Sequence, residues 1–204
     1  MKALLLVSEL EDYTIAFTGG LARHLQVVLG VPRRRYGRLA SFVDPAVDLH
    51  LLDWPRHRSL SNPWFLHQLT QLVRDEQPQL IHLLSNSTLW LNLALPFWRS
   101  IPLVTTVHDV ELHPGDTETR RLPRWASDLV VRQSQHLVVH GDELKRLVLA
   151  RHPKPAERVH VVSHPAIGRY AELARQHGMA RRSQGDAVNV LFFGRIFAYK
   201  GLEF

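Results

Sequence analysis

Short apolar runs alternate along this chain with longer segments whose apolar residues recur every three or four positions. Lys2–Ser8 (KALLLVS) is apolar and β-prone and predicts a first buried strand. Glu9–Thr18 reads as a polar loop. Thr18 then caps a predicted helix whose Leu21, Leu25, Val28 and Leu29 fall at helical spacing, with Gly30 and Pro32 as its stop. Val47–Leu52 alternates apolar and polar residues, as a half-exposed strand does. Asn62-Pro63 opens a helix with Phe65, Leu66, Leu69, Leu72 and Val73 on one face, ending ahead of Pro78. Leu80–Leu84 is the next strand. Ser87–Trp98 is apolar nearly all round, so it reads as a helix packed inside the molecule, with Trp90, Phe97 and Trp98 in core or interface.

The alternation continues with a strand at Leu103–His108, a helix at Pro123–Gln133 and a strand at His136–His140. A helix capped by Gly141 or Asp142 follows, carrying Leu144, Leu147 and Val148 on its apolar face. Val159–Ser163 is a further strand and Arg169–Gly178 a further helix. Residues 181–187 are polar and contain glycine, as a linker would, and Val188–Phe193 starts another apolar strand. Repeated strand–helix alternation with near-continuous apolar strands predicts an α/β fold, a doubly wound parallel sheet of Rossmann type. The expected division is a domain at 1–180, a linker at 181–187 and the opening of a second domain at 188–204.

Composition narrows the class. With 45% hydrophobic and 22% charged residues, the 204-residue chain has the make-up of an ordinary globular protein. It has no cysteine, which excludes disulfides and thiolate chemistry and fits a reducing compartment. No apolar run is long enough to span a membrane, and the N-terminus reads as a strand rather than a signal peptide. The net charge of +6 comes chiefly from arginine, since four of the 25 cations are lysines. Such a balance suits nucleic acid, anionic lipid or phosphorylated substrates, but genome composition accounts for arginine richness equally well. Arg33, Arg34, Arg35 and Arg38 cluster around Tyr36, either as a phosphate-touching patch or as a solvated loop.

Several chemistries find no support. Among 13 histidines there is no H-E-x-x-H, and no Asp-x-Asp pair offers a divalent-metal sugar-nucleotide site. G-x-S-x-G, G-x-x-x-x-G-K-[ST] and G-x-G-x-x-G are also missing. What remains is concentrated at predicted strand ends. His108-Asp109 follows the strand Leu103–His108 at the edge where open α/β sheets bind ligands. There a neutral imidazole can donate to a sugar hydroxyl, with Asp109 orienting it. Gly19-Gly20 would let a ligand approach the backbone, or is a plain tight turn. After the strand at 188–193, Gly194, Arg195 and Lys200 stand at a strand-to-helix junction, where backbone N–H groups and two cations suit a diphosphate.

Five segments carry a resemblance. G-R-I-F-A-Y-K-G-L-E at 194–203 resembles the opening of the second domain of GT-B glycosyltransferases, in particular glycosyltransferase family 4. P-L-V-T-T-V-H-D at 102–109, T-G-G-L-A-R-H-L at 18–25 and HLVVHGDELKRLVL at 136–149 resemble its segments in the family's order, as does ERVHVVSHPAIGRY at 157–170. The resemblance implies two Rossmann-like domains facing a cleft, of which this chain holds the N-terminal, acceptor-binding one and the first strand and turn of the next. It implies retaining, metal-free transfer of a sugar from a nucleotide-sugar donor to a glycan or lipid-linked acceptor. Gly19 and Gly20 would then lie against donor phosphate or acceptor, His108 would contact the transferred sugar, and Arg195 and Lys200 would stabilise the leaving diphosphate. The family's paired glutamates would fall beyond Phe204, and residues 31–46 fit its second strand poorly.

The expectation is therefore a glycosyltransferase with no cofactor and no nucleic-acid partner. Its expected place is the cytoplasm, with the anionic membrane face as a peripheral contact. Two alternatives belong to other classes: a non-catalytic module for phospho-sugars or anionic lipid, and a nucleotide-sugar epimerase of the same fold.

Overall fold

A computed structural model describes residues 1–55, 59, 61–86, 89–110 and 124–179. The strands are β1 (Lys2–Leu6), β2 (Gln26–Pro32), β3 (Val47–Leu52), β4 (Leu80–Leu83), β5 (Leu103–Thr106), β6 (His136–Val139) and β7 (Val159–Val161). The helices are α1 (Glu11–Leu21), α2 (Arg33–Tyr36), α3 (Asn62–Glu76), α4 (Leu89–Ala94), α5 (Arg124–Gln133), α6 (Asp142–Arg151) and α7 (Arg169–Gln176). All neighbouring strands pair parallel in the order β3-β2-β1-β4-β5-β6-β7. The chain order reverses between β1 and β4, so the crevice beyond the carboxyl ends of those strands is the topological switch point.

Both faces of the sheet are covered, as a doubly wound fold requires. Leu4, Leu6, Val28, Ile81 and Leu83 pack with Phe65 and Leu69 of α3 on one face. Ala3, Leu5, Val27 and Leu29 pack with Tyr13 and Ile15 of α1 and Tyr36 of α2 on the other. Alternate residues of β1 and β2 thus enter opposite cores, which is why those strands read as continuous apolar runs.

The start of the chain departs from the expectation. The predicted polar loop at Glu9–Thr18 is mostly α1, and residues 26–29 of the predicted helix belong to β2. Leu21, Leu25, Val28 and Leu29 matched a helical period by coincidence. The β-branched Val27, Val28 and Val31 are all fully buried in an interior strand, where such side chains pack well. Gly30, expected as a helix stop, is a strand residue opposite Leu6. A Cβ there would stand 2.7 Å from Leu6 Cδ2, so a larger residue would have to displace the packed Leu6 side chain. A smaller departure falls at Leu95–Trp98, which is a tighter 3-10 turn after α4, because Pro96 cannot continue an α-helix. The linker at 181–187 and the second-domain segment at 188–204 lie outside the described residues.

Candidate active site

The loops after β1, β5, β6 and β7 converge at the carboxyl edge of the sheet. His108 follows β5, and its Nε2–H donates to the Leu84 carbonyl at the end of β4, 2.9 Å away. A carbonyl only accepts, so this bond fixes the tautomer. In the neutral ring Nδ1 is left as an acceptor. In that neutral state Nδ1 can accept a hydrogen bond and cannot donate one, whereas the expected role was donation to a sugar hydroxyl.

His140, at the end of β6, donates from Nδ1 to the Val162 carbonyl at 2.9 Å. Its Nε2 is buried with no hydrogen-bond partner. His164, beyond β7, completes a run of rings. The centroids of His108 and His140 are 5.0 Å apart, and those of His140 and His164 are 5.2 Å apart. Tyr13 of α1 lies against all three, at 4.8 Å from His108, 5.2 Å from His140 and 5.1 Å from His164.

Burial governs the electrostatics. It lowers the His108 pKa, and the charges of His140 and His164 push the same way, while the Leu84 hydrogen bond and Asp109 oppose it. His82 of β4, fully enclosed beneath, is driven to about 3 by burial, with a smaller push from His108. Its Nε2 lies 2.9 Å from the Thr106 hydroxyl. The Tyr13 phenol is pushed up to about 12 by burial, and the nearby Thr106 hydroxyl pulls it back a little. No hydrogen bond of good geometry satisfies the Tyr13 hydroxyl. Burial thus favours the neutral form of His108 and His82, and the neutral His108 ring keeps Nδ1 as an acceptor.

The loop leading into α1 is held in place from below. Tyr36 is fully buried; its hydroxyl donates to the Glu9 carbonyl at 2.9 Å and lies 3.0 Å from the Thr14 hydroxyl. Leu10, the residue before α1, has φ 65°, a left-handed conformation uncommon for a side-chain-bearing residue. Beside this loop, Asp12, Ile15, Phe42, Ile167 and Arg169 border a cavity of about 590 Å³. Arg169 pairs with Asp12, and the Tyr170 hydroxyl donates to the same carboxylate at 2.7 Å.

The other expected residues fall elsewhere. Asp109 is exposed next to His108 and acts on it electrostatically. Gly19 and Gly20 do not form a turn at this edge. They lie in the last turn of α1, which runs away from the edge, and a Cβ on Gly19 would meet Asp44, just ahead of β3. Arg195 and Lys200 lie outside the described residues. Of the basic cluster, Arg33 pairs with Asp53 and Arg35 with Glu11, each at 3.0 Å. Sequence spacing does not mark Tyr13 as a site residue, nor His140 and His164. Their shared signal is a histidine closing an apolar run, in VTTVH, HLVVH and HVVSH. Among the described residues, only Asp48, His50 and Glu76 bring metal-ligand atoms together, and they stand at the opposite edge.

Residues 11–165 match the glycosyl transferase 4-like domain, more than half of the chain. The chain belongs to the glycosyl transferase 4-like family. No curated protein matches it significantly in sequence. Solved structures share the fold of this glycosyl transferase 4-like chain at low identity. The UDP-GlcNAc 2-epimerase of Neisseria meningitidis, bound to UDP-GlcNAc, is 17% identical, with a TM-score of 0.61 over 80% of this chain and 47% of that one. The UDP-N-acetylglucosamine 2-epimerase of Rickettsia bellii is 12% identical, with a TM-score of 0.62 over 88% of this chain and 48% of its own. Anabaena HepE, in complex with UDP and glucose, is 17% identical, with a TM-score of 0.55 over 87% and 50%. The chain spans about half the length of these structures. Among its described residues no helix is long and apolar enough to cross a membrane.

Proposed function

We propose that this protein is a retaining glycosyltransferase that takes a sugar from a nucleotide-sugar donor and passes it to a glycan or lipid-linked acceptor. The observation that carries the reading is His108. It stands next to the switch point as a neutral ring with one nitrogen tied to Leu84 and the other an acceptor. An acceptor fixed in this way orients a sugar hydroxyl without introducing a positive charge where a glycosyl cation develops. Tyr13 and His140 cover one side of His108, with ring centroids 4.8 and 5.0 Å away. Arg195 and Lys200 stabilise the departing diphosphate, and charge stabilisation of this kind needs no metal. The family match and the nucleotide-sugar enzymes among the structural neighbours support the substrate class. The proposed setting is cytoplasmic, with peripheral contact at anionic membrane through Arg34 and Arg38.

The test is His108→Ala in the full-length protein, assayed for sugar transfer. Loss of a positioned acid–base or hydrogen-bonding group costs about 10²-fold or more in turnover, with an unchanged circular dichroism spectrum. Wild-type turnover in a folded variant would remove the assignment. A second reading, epimerisation of the nucleotide-sugar, is favoured by the 2-epimerases among the neighbours. Incubation with UDP-GlcNAc and no acceptor separates the two. Epimerised sugar supports the second reading, and sugar transferred only when an acceptor is added supports the first.

A further inference from the structure

We infer that Asp48, His50 and Glu76 form a binding site for a divalent transition-metal ion of the zinc class, at the edge of the sheet remote from His108. This inference is independent of the proposed transfer activity. Strand alternation builds the site. In β3, Leu49 and Leu51 turn into the core with α1, whereas Leu52 joins the core with α3. Asp48 and His50 therefore share the α3 face. Glu76 ends α3 and reaches the same place.

The three donor atoms lie within 4.8 Å of one another. His50 Nε2 is 3.3 Å from Asp48 Oδ1 and 3.7 Å from Glu76 Oε1. That nitrogen is buried and makes no hydrogen bond of acceptable geometry with either carboxylate. A buried ring nitrogen that faces two carboxylate oxygens without hydrogen-bonding either is placed to share a cation with them. Tetrahedral zinc bonds of about 2.0–2.2 Å place neighbouring ligand atoms about 3.3–3.6 Å apart, close to both spacings. One imidazole and two carboxylates with the fourth position open is a donor set zinc accepts. The far oxygen of Glu76 pairs with Lys2 Nζ at 3.1 Å and leaves Oε1 turned toward His50. The lysine charge also opposes the cation, so the site is weaker than its ligand set alone would make it. A bound ion would tie the last turn of α3 to the edge strand and, through Lys2, to β1.

The experiment is a calorimetric titration of zinc chloride into the chelator-treated, tag-free full chain. Wild type is compared with Asp48→Asn, His50→Gln and Lys2→Met, each first checked for native circular dichroism. The expected result is a one-equivalent binding phase that weakens by more than ~10-fold in D48N and in H50Q, the loss that even an outer-sphere partner of a metal causes. Lys2→Met keeps every ligand and should bind zinc severalfold more tightly. At free zinc about 100 times Kd, wild type should also melt several degrees higher. Absence of binding overturns the inference. So does binding that is unchanged in D48N and H50Q, which would place the ion on other histidines, or weakened binding in K2M.

Discussion

At the carboxyl edge of the sheet, His108, His140 and His164 pack in turn, tilted or edge-on, against one another and against Tyr13, and each gives an N–H group to a backbone carbonyl. At the opposite edge, His50 stands between two carboxylates, with Lys2 behind one of them. The same side chain serves different chemistry in the two places. At His108, burial favours the neutral imidazole, which offers an acceptor nitrogen to an uncharged hydroxyl. Where carboxylates surround it, the site concentrates negative charge and suits a cation. The difference comes from the neighbours each strand end brings, since both places are built from the same parallel sheet.

The largest test of that contrast is acid stability. An unfolded histidine takes up its proton near about 6.5, whereas folded His82 does so only near about 3. Between those values the unfolded chain binds more protons, so stability falls as pH drops through this window. From pH 7 to pH 5 the linkage amounts to about 2 kcal/mol for His82. His108 shifts in the same direction and adds to the effect. Urea melts at both pH values should show it, and His82→Asn should remove most of His82's share. An unchanged slope in that variant would show that the carboxyl edge does not exclude charge as described.

A smaller effect separates the two buried tyrosines near that edge. Tyr36→Phe removes a hydroxyl bonded to the Glu9 carbonyl and should cost about 1–2 kcal/mol in chemical denaturation. Tyr13→Phe removes a buried hydroxyl whose contact with Thr106 is not a hydrogen bond of good geometry, and should be neutral or stabilising by about a few tenths of a kcal/mol. Equal losses in the two variants would mean that Tyr13 has a partner the geometry does not provide.

The smallest effect belongs to the far edge. Nothing lies within 4 Å of a Cβ built on Gly20, and the residue is helical. Gly20→Ala should raise stability by roughly 0.5–1 kcal/mol and leave sugar transfer unchanged. A large loss of turnover in G20A would bring this glycine back to the ligand, where the sequence resemblance put it.

The sheet was legible because its strands are interior. Leu80–Leu84 and Leu103–His108 are apolar runs with few alternative readings, and the expected parallel order of layers follows from their alternation with helices. The segment at 9–32 was not legible. Val27–Val31 is buried on both faces of the sheet, so it carries no two-residue period, and its apolar residues also satisfy a helical one. α1 was hidden by its own composition, with Thr14, Thr18, Gly19 and Gly20 all weak helix formers. At the site, His108 could be placed from its strand end alone. Its hydrogen-bonding role could not, because that depends on the Leu84 carbonyl of a neighbouring strand. Tyr13 reaches the histidines only through the packing of α1, which spacing along the chain does not disclose. Asp48-Leu49-His50 shows an alternating pair of ligands, but Glu76 joins them only after β3 and α3 have met.

The most direct measurement is a long-range nitrogen–proton correlation spectrum of the histidine side chains in the full-length protein, titrated with UDP-GlcNAc and, separately, with UDP alone. The account predicts that the Nδ1 signal of His108 moves with the nucleotide-sugar and much less with UDP, while His50 moves with neither. A His108 signal that ignores the nucleotide-sugar, or one that responds equally to UDP, would contradict a sugar-binding role for the carboxyl edge.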